Sequence, residues 1–211
     1  FLENGVDPRE TVFCGGQTKL GNQIFRCWRR GGHGSQTLEQ SLINSCDVYY
    51  YIMAERLGID KISAFAKQCG FGRPTGVDLP HERSGLVPSR DWKQRYRKQV
   101  WVRGDTFNTS IGQGFTLASP LQLAVMASRV ATGVEVVPRI VKAVGGVEIP
   151  VAPRKSLGLD PAHLRAVQGG MFAVSNEGTA YRSRSAVPLM AGKTGTSQVR
   201  NITAAERARG V

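Results

Sequence analysis

The sequence predicts a mixed α+β domain, and three observations carry that expectation. Capped apolar-faced helices cluster in the middle of the chain, Gly and Pro punctuate the stretches around them, and strand-like apolar segments lie toward the end. The 211 residues are 41% hydrophobic and 21% charged, enough to fill one sizeable core.

The elements follow in order. Phe1-Leu2-Glu3-Asn4-Gly5 reads as the last turn of a helix with Gly5 as its C-cap, so the helix itself is expected upstream of residue 1. Residues 6–36 are turn-rich and irregular and carry Cys14 and Cys27. Thr37, with Gln40 three residues on, forms a capping box for a helix faced by Leu38, Leu42 and Ile43. Asp47 reads as the N-cap of a second helix running to Gly58, and a third runs from Asp60 to Cys69 and stops at Gly70. Residues 70–118 read as loops and short strands. Ser119 caps a helix with Pro120 at its first position, and its residues are apolar nearly all round, which predicts burial. Val134–Val144 reads as a strand broken by Pro138, Asp160-Pro161 opens a helix through Val174, and Val187–Val199 reads as a core strand. The end at Val211 reads as a cut, so the chain is expected to be a piece of a longer protein. No apolar run approaches a membrane span, and no signal peptide is present.

Net charge is +12, which favours polyanions: nucleic acid, an anionic membrane surface or an acidic polymer. The densest run, Arg90–Trp101, mixes cations with aromatics, and its plainest reading is a solvated face. No zinc-finger or RNA-recognition motif accompanies it, so sequence-specific nucleic-acid binding is not supported.

Two short motifs carry chemistry. In Lys193-Thr194-Gly195-Thr196 the lysine supplies charge, the threonines supply O–H donors, and the glycine leaves room for a carboxylate ligand against the backbone. Gly192-Lys193-Thr194 also matches the end of a P-loop, but the first glycine of that motif would fall at residue 187, which is valine. Ser45-Cys46-Asp47 lies at the break between two helices, where serine and carboxylate either face one cleft or serve as ordinary caps.

Together these motifs resemble the transpeptidase domain of penicillin-binding proteins, whose signature is Ser-x-x-Lys, Ser-x-Asn and Lys-Thr/Ser-Gly. Ser45-Cys46-Asp47 matches the second with Asp in place of Asn, and Lys193-Thr194-Gly195 matches the third. Arg29–Gly34, Phe71–Leu79, Glu82–Gly85, Gly104–Thr106 and Ile111–Gly114 are similar to the elongation-type branch of the family, penicillin-binding protein 2, so the resemblance covers nearly the whole chain. It implies a penicillin-binding protein transpeptidase fold, like that of serine β-lactamases, with an antiparallel sheet and a helical subdomain, here truncated at both ends. No serine is followed by lysine three residues later. The resemblance therefore places the nucleophile just upstream of residue 1, and the last strands and C-terminal helix beyond Lys193.

The implied reaction is acyl transfer from a D-alanyl-D-alanine stem peptide to a neighbouring stem, with β-lactams as acylating inhibitors. Ser45 would pass a proton to the leaving amine, Asp47 would orient Ser45 and the missing lysine, and Lys193 would sustain the electrostatics. Thr194 and Thr196 would grip the carboxylate beside Gly195, and the Thr196 N–H would form half of the oxyanion hole. Implied partners are stem peptides and membrane proteins of an elongation complex, including a glycosyltransferase. The implied location is the periplasmic face of the bacterial inner membrane, with an anchor outside this chain. No cofactor is implied for catalysis. A serine β-lactamase-like hydrolase and a non-catalytic penicillin-fold binding protein are the rivals.

Three readings of the cysteines stay open. Cys14 and Cys27 form a disulfide, Cys14, Cys27, His33 and Cys46 form a Cys3His structural zinc site, or the thiols are free. The resemblance favours metal, since relatives of the elongation type hold metal at matching positions with aspartates replacing some cysteines. Cys69 reads as packing.

Overall fold

The computed structural model describes residues 1–185 and 189–197. The chain opens with a single 3-10 turn, Leu2–Asn4, closed by Gly5 in the left-handed conformation, as the C-cap reading requires. Residues 6–36 then depart from the irregular reading. They form two nested antiparallel pairs, β1 (Val12–Cys14) with β4 (Gly34–Gln36) outside and β2 (Gln17–Leu20) with β3 (Gln23–Arg26) inside. These strands are three or four residues long, too short for a period-two pattern to stand out, so periodicity does not reveal them. Glycine permits the nesting. A Cβ on Gly16 would stand 2.0 Å from the Arg30 carbonyl oxygen, and one on Gly32 would stand 2.2 Å from that of Cys14.

Helix α1 (Leu38–Ile43) has the expected Thr37–Gln40 capping box. Helix α2 (Asp47–Leu57) differs at its start. Its N-cap is Cys46, whose side chain makes no capping hydrogen bond, and Asp47 is the first helical residue. The Asp47 carboxylate instead accepts the Trp28 backbone N–H at 3.0 Å, a long-range bond that propensity cannot foresee. Helix α3 (Ile59–Gln68) ends at Cys69, which is buried as packing.

The 70–118 region is more helical than its Gly and Pro content suggests. It contains α4 (Arg90–Trp92) running into a π-turn at Lys93–Arg97, then α5 (Arg103–Ser110). Its strand content among the described residues is one isolated bridge, Leu86 to Leu117. The basic run is not uniformly solvated either. Arg95, Arg97 and Lys98 are exposed, but Lys93 is buried, and its Nζ lies 2.6 Å from the Asp105 carboxylate. Asp105 also accepts the Val102 N–H at 2.9 Å, closing the start of α5. Lys93→Ala leaves that carboxylate buried without its cation and is expected to cost ~3 kcal/mol. Urea denaturation measures this, and a loss below ~0.5 kcal/mol would class the pair with surface ion pairs.

Helix α6 (Pro120–Thr132) carries the expected Ser119 cap with Pro120 at its start. Its burial follows the reading only in part: Val125 is buried, but other positions are not as expected. Leu123 is 57% exposed, whereas Gln122 and Arg129 are buried. Gln122 donates to the carbonyls of Arg73 and Ser84, each at 2.8 Å. Arg129 donates to the carbonyls of Cys69 and Val136. These polar groups take up loop carbonyls that would otherwise be buried unpaired. Of the expected 134–144 strand, Val134 forms an isolated antiparallel bridge with Ser156, and Ala143–Val144 pairs as β5 with β6 (Val147–Glu148). Helix α7 (Pro161–Asn176) starts at the Asp160 cap as expected and packs on α1. Residues 189–197 hold no strand, and positions 187, 188, 198 and 199 of the expected core strand lie outside the described residues.

The fold class stands as α+β, but the described strands lie mainly in the first 36 residues rather than toward the end. The main core joins β1, α1, α2 and α5 around Tyr49, Tyr51, Met53 and Phe107. Each such side chain contributes on the order of 1.5–3 kcal/mol of burial. The Phe107 ring stacks on Tyr51 at 5.2 Å and meets Phe25 edge-on at 4.8 Å, which ties β3 and α5 to α2.

Candidate active site and cysteine cluster

Helix α1 ends at Asn44 and α2 begins at Asp47, so Ser45 sits in a two-residue corner with φ of +50°. Such a backbone is uncommon for a residue with a Cβ and is retained where its surroundings enforce it. Here the enforcing contacts are specific. The Cys46 N–H donates to the Ser41 carbonyl at 2.9 Å, and the Trp28 indole N–H reaches the carbonyls of Asn44 at 2.9 Å and Ser45 at 3.0 Å. With its backbone N–H on Asp47, Trp28 clamps both ends of the corner. Sequence reasoning missed Trp28, and its position directly after Cys27 was the only signal.

Lys193 arrives from the far end of the chain. Its Nζ donates to Ser45 Oγ at 2.8 Å and to its neighbour's carbonyl, that of Thr194, at 3.1 Å. The two motifs, 148 positions apart, therefore meet. They line an open cleft of about 1110 Å³ with Asp47, Thr194, Gly195 and Thr196. Trp28, Tyr50, Gln113, Thr179 and Arg182 also line it. Burial raises the Asp47 pKa to about 6, opposed by the Trp28 N–H. Burial also lowers the Lys193 pKa, and the Asp47 charge partly offsets this. A serine hydroxyl between an ammonium and a carboxylate-bearing turn, with hydroxyl donors beside it, can relay a proton and hold an anion.

The cysteine cluster lies behind this corner. The β1–β4 pairing sets Cys14 opposite Gly34, the His33 N–H donates to the Cys14 carbonyl at 3.0 Å, and the Cys27 N–H donates to the Gly16 carbonyl at 2.9 Å. Cys46 enters from the α1–α2 corner. The ligand atoms of Cys14, Cys27, His33 and Cys46 all lie within 4.8 Å of one another. His33 Nδ1 is 3.7 Å from Cys14 Sγ and 3.5 Å from Cys27 Sγ. Bonds of about 2.3 Å to sulfur and 2.05 Å to nitrogen make the S···N edge of a zinc tetrahedron about 3.6 Å. The donor set and spacing fit tetrahedral zinc. The Cys46 thiol, together with backbone N–H groups of Arg29, Asp47 and Val48, pushes the Cys27 pKa down to about 4, toward the thiolate that binds metal. All four cysteines are free thiols, so the Cys14–Cys27 disulfide reading is not what the structure has.

The sequence profile described as Penicillin binding protein transpeptidase domain matches residues 1–208. The chain belongs to this family. It is 40% identical to the peptidoglycan D,D-transpeptidase MrdA of Acinetobacter baumannii over 190 residues, covering 87% of this chain and 28% of that protein. It is 35% identical to MrdA of Escherichia coli K12 over 217 residues, covering 97% of this chain and 34% of that protein. Among solved structures, the complex of penicillin-binding protein 2 with MreC from Helicobacter pylori aligns with a TM-score of 0.85 at 37% identity, covering 94% of this chain and 38% of that one. Penicillin-binding protein 2 of Pseudomonas aeruginosa in complex with WCK 5153 also aligns at 0.85, with 38% identity and coverage of 93% and 47%. The chain thus spans about a third of the length of these curated relatives. The transpeptidase fold expected from the motifs is the fold observed.

Proposed function

We propose that residues 1–211 are part of the transpeptidase domain of a peptidoglycan D,D-transpeptidase of the elongation type. The observation that carries the reading is the 2.8 Å contact between Lys193 Nζ and Ser45 Oγ in a cleft lined by Thr194 and Thr196. Family membership and the MrdA relatives support the same reaction class.

The chemistry is acyl transfer. A serine hydroxyl oxygen bonds to the penultimate carbonyl carbon of a D-alanyl-D-alanine stem, and the C–N bond to the terminal D-alanine breaks. The nucleophile's proton reaches the departing nitrogen. Ser45 passes it on, Lys193 holds Ser45 in line, and Asp47 orients the corner. Thr194 and Thr196 donate to the substrate carboxylate across Gly195, and the Thr196 N–H supplies one oxyanion donor. An amine of a second stem then takes the acyl group and releases the serine. The attacking serine belongs to a Ser-x-x-Lys segment that this chain does not contain.

Zinc fits the Cys14, Cys27, His33 and Cys46 cluster in a structural role, since four protein ligands leave no open position. Bound there, it would tie the β1–β4 loop to the Ser45 corner and offset most of the charge of the buried thiolates. The relative crystallised with MreC, and a structure described as a peptidoglycan synthase complex coordinating polymerization and crosslinking, support scaffold and glycosyltransferase partners for the whole protein. The +12 charge suits work along an acidic wall polymer at the periplasmic face of an anionic inner membrane.

Fluorescent penicillin tests the reading. The full-length protein is expected to form a covalent adduct, whereas the 1–211 polypeptide forms none. An adduct on the short polypeptide would overturn the assignment of the nucleophile, and none on the full-length protein would overturn the reaction class.

A further inference from the structure

We propose that Thr179 is a positioning residue for anion recognition, setting the Thr194 hydroxyl as a donor toward the substrate carboxylate. This rests on the acyl-transfer reading above and adds a residue outside its motifs.

Thr179 lies in the turn after α7, and this turn touches both halves of the cleft. Its backbone N–H donates to the Ile43 carbonyl at 3.1 Å, two residues before Ser45. Its Oγ1 lies 2.8 Å from Thr194 Oγ1, next to Lys193. Behind it, the Gly192 N–H donates to the Met171 carbonyl of α7 at 3.0 Å, a second link between the Lys193 segment and this helix. The approach to Ile43 requires glycine at 178. A Cβ there would stand 2.5 Å from the Ile43 oxygen and 2.9 Å from Val174 Cα. Gly178-Thr179 thus sets the distance between the segment bearing Lys193 and the corner bearing Ser45.

Donor counting gives Thr179 its role. A hydroxyl has one proton to donate and two lone pairs to accept with. Lys193 Nζ, which can only donate, stands 3.5 Å from Thr194 Oγ1 and faces one lone pair. When Thr179 donates to the other, both acceptor positions of Thr194 are filled, and its proton has no acceptor among the described residues of the wall. It then points into the cleft, where an anion accepts it. Without the Thr179 hydroxyl, Thr194 is free to rotate its proton away from the ligand.

The test compares acylation of the full-length protein by benzylpenicillin and by its methyl ester, which lacks the anionic oxygen. Wild type is expected to prefer the carboxylate. Thr179→Val is expected to lower that preference ~10-fold, the scale of one hydrogen bond to a charged group. Thr179→Ser, which keeps the hydroxyl, is expected to restore it to within ~3-fold of wild type on the same scale. In a Thr194→Val background, Thr179→Val is expected to cost no further preference, because the partner it orients is gone. If Thr179→Val slows both substrates equally, or leaves both unchanged, the residue does not orient the anion donor and the proposal fails. A wild-type protein that forms no adduct with benzylpenicillin overturns the acyl-transfer reading itself, and this proposal with it.

Discussion

Lys193→Ala in the full-length protein is expected to lower the second-order rate of penicillin acylation ~10²–10³-fold, the range for removing one positioned charge or proton-relay group. The argument rests on what the ammonium touches. It donates to Ser45 Oγ at 2.8 Å, so the hydroxyl proposed to relay the proton loses both orientation and a neighbouring positive charge. It also donates to the Thr194 carbonyl and faces Thr194 Oγ1, so the wall proposed to hold the anion loses its anchor at the same time. Lysine and arginine are not interchangeable here, because the compact ammonium makes these contacts from one atom and a planar guanidinium spreads them. Lys193→Arg is therefore expected to recover less than a tenth of the lost rate, on the scale of one misplaced contact. Lys193 lies on an exposed segment, so the melting temperature should move by less than ~2 °C, as for other surface substitutions. Acylation within threefold of wild type would remove Lys193 from the mechanism.

The second large effect concerns the cysteine cluster. The purified protein is expected to carry about one equivalent of zinc, and Cys46→Ala is expected to remove it and lower the melting temperature by ~10 °C. That figure follows from a loss of ~4 kcal/mol, the upper range for single substitutions and one associated with lost metal sites, at roughly 2–4 °C per kcal/mol. Cys46 is fully buried, and its removal leaves Cys14, Cys27 and His33 gathered around an incomplete ligand set. The loss should reach the cleft, because Trp28, the neighbour of the cluster residue Cys27, clamps the corner that holds Ser45 at a φ of +50°. Acylation of Cys46→Ala should accordingly fall along with its stability. Elemental analysis settles the metal, and thiol counting after denaturation with chelator should find Cys14 and Cys27 both reactive. Absent zinc, with those two thiols linked, would restore the disulfide reading.

Local chemistry was legible where it acts within four residues. Thr37, Ser119 and Asp160 cap the helices they were expected to cap, because a side-chain oxygen and the second or third N–H after it are brought together by the helix itself. Asp47 departs from that rule: it is the first helical residue, and its carboxylate accepts the Trp28 N–H from outside the helix. The 12–36 strands failed for a related reason. Their pairing is set by glycines at 16 and 32 and by the convergence of Cys14, Cys27 and His33, none of which appears as alternation of apolar and polar residues. In α6 the apolar pattern pointed to burial, yet Gln122 and Arg129 turn inward because loop carbonyls there need donors.

By itself, the sequence determined which residue types the site has to work with. Lys193-Thr194-Gly195-Thr196 and Ser45-Cys46-Asp47 are legible as short strings because their chemistry lives in consecutive residues. Likewise, Cys14, Cys27, His33 and Cys46 were legible as a donor set, since metal ligation depends on atom type first. Only the tertiary structure decided that Lys193 reaches Ser45, that the four donors converge within 4.8 Å, and that Trp28 and Thr179 hold the two halves of the cleft. Those contacts join segments up to 148 positions apart. They depend on how helices pack and where glycine lets backbones approach, and no local pattern in the chain encodes that distance.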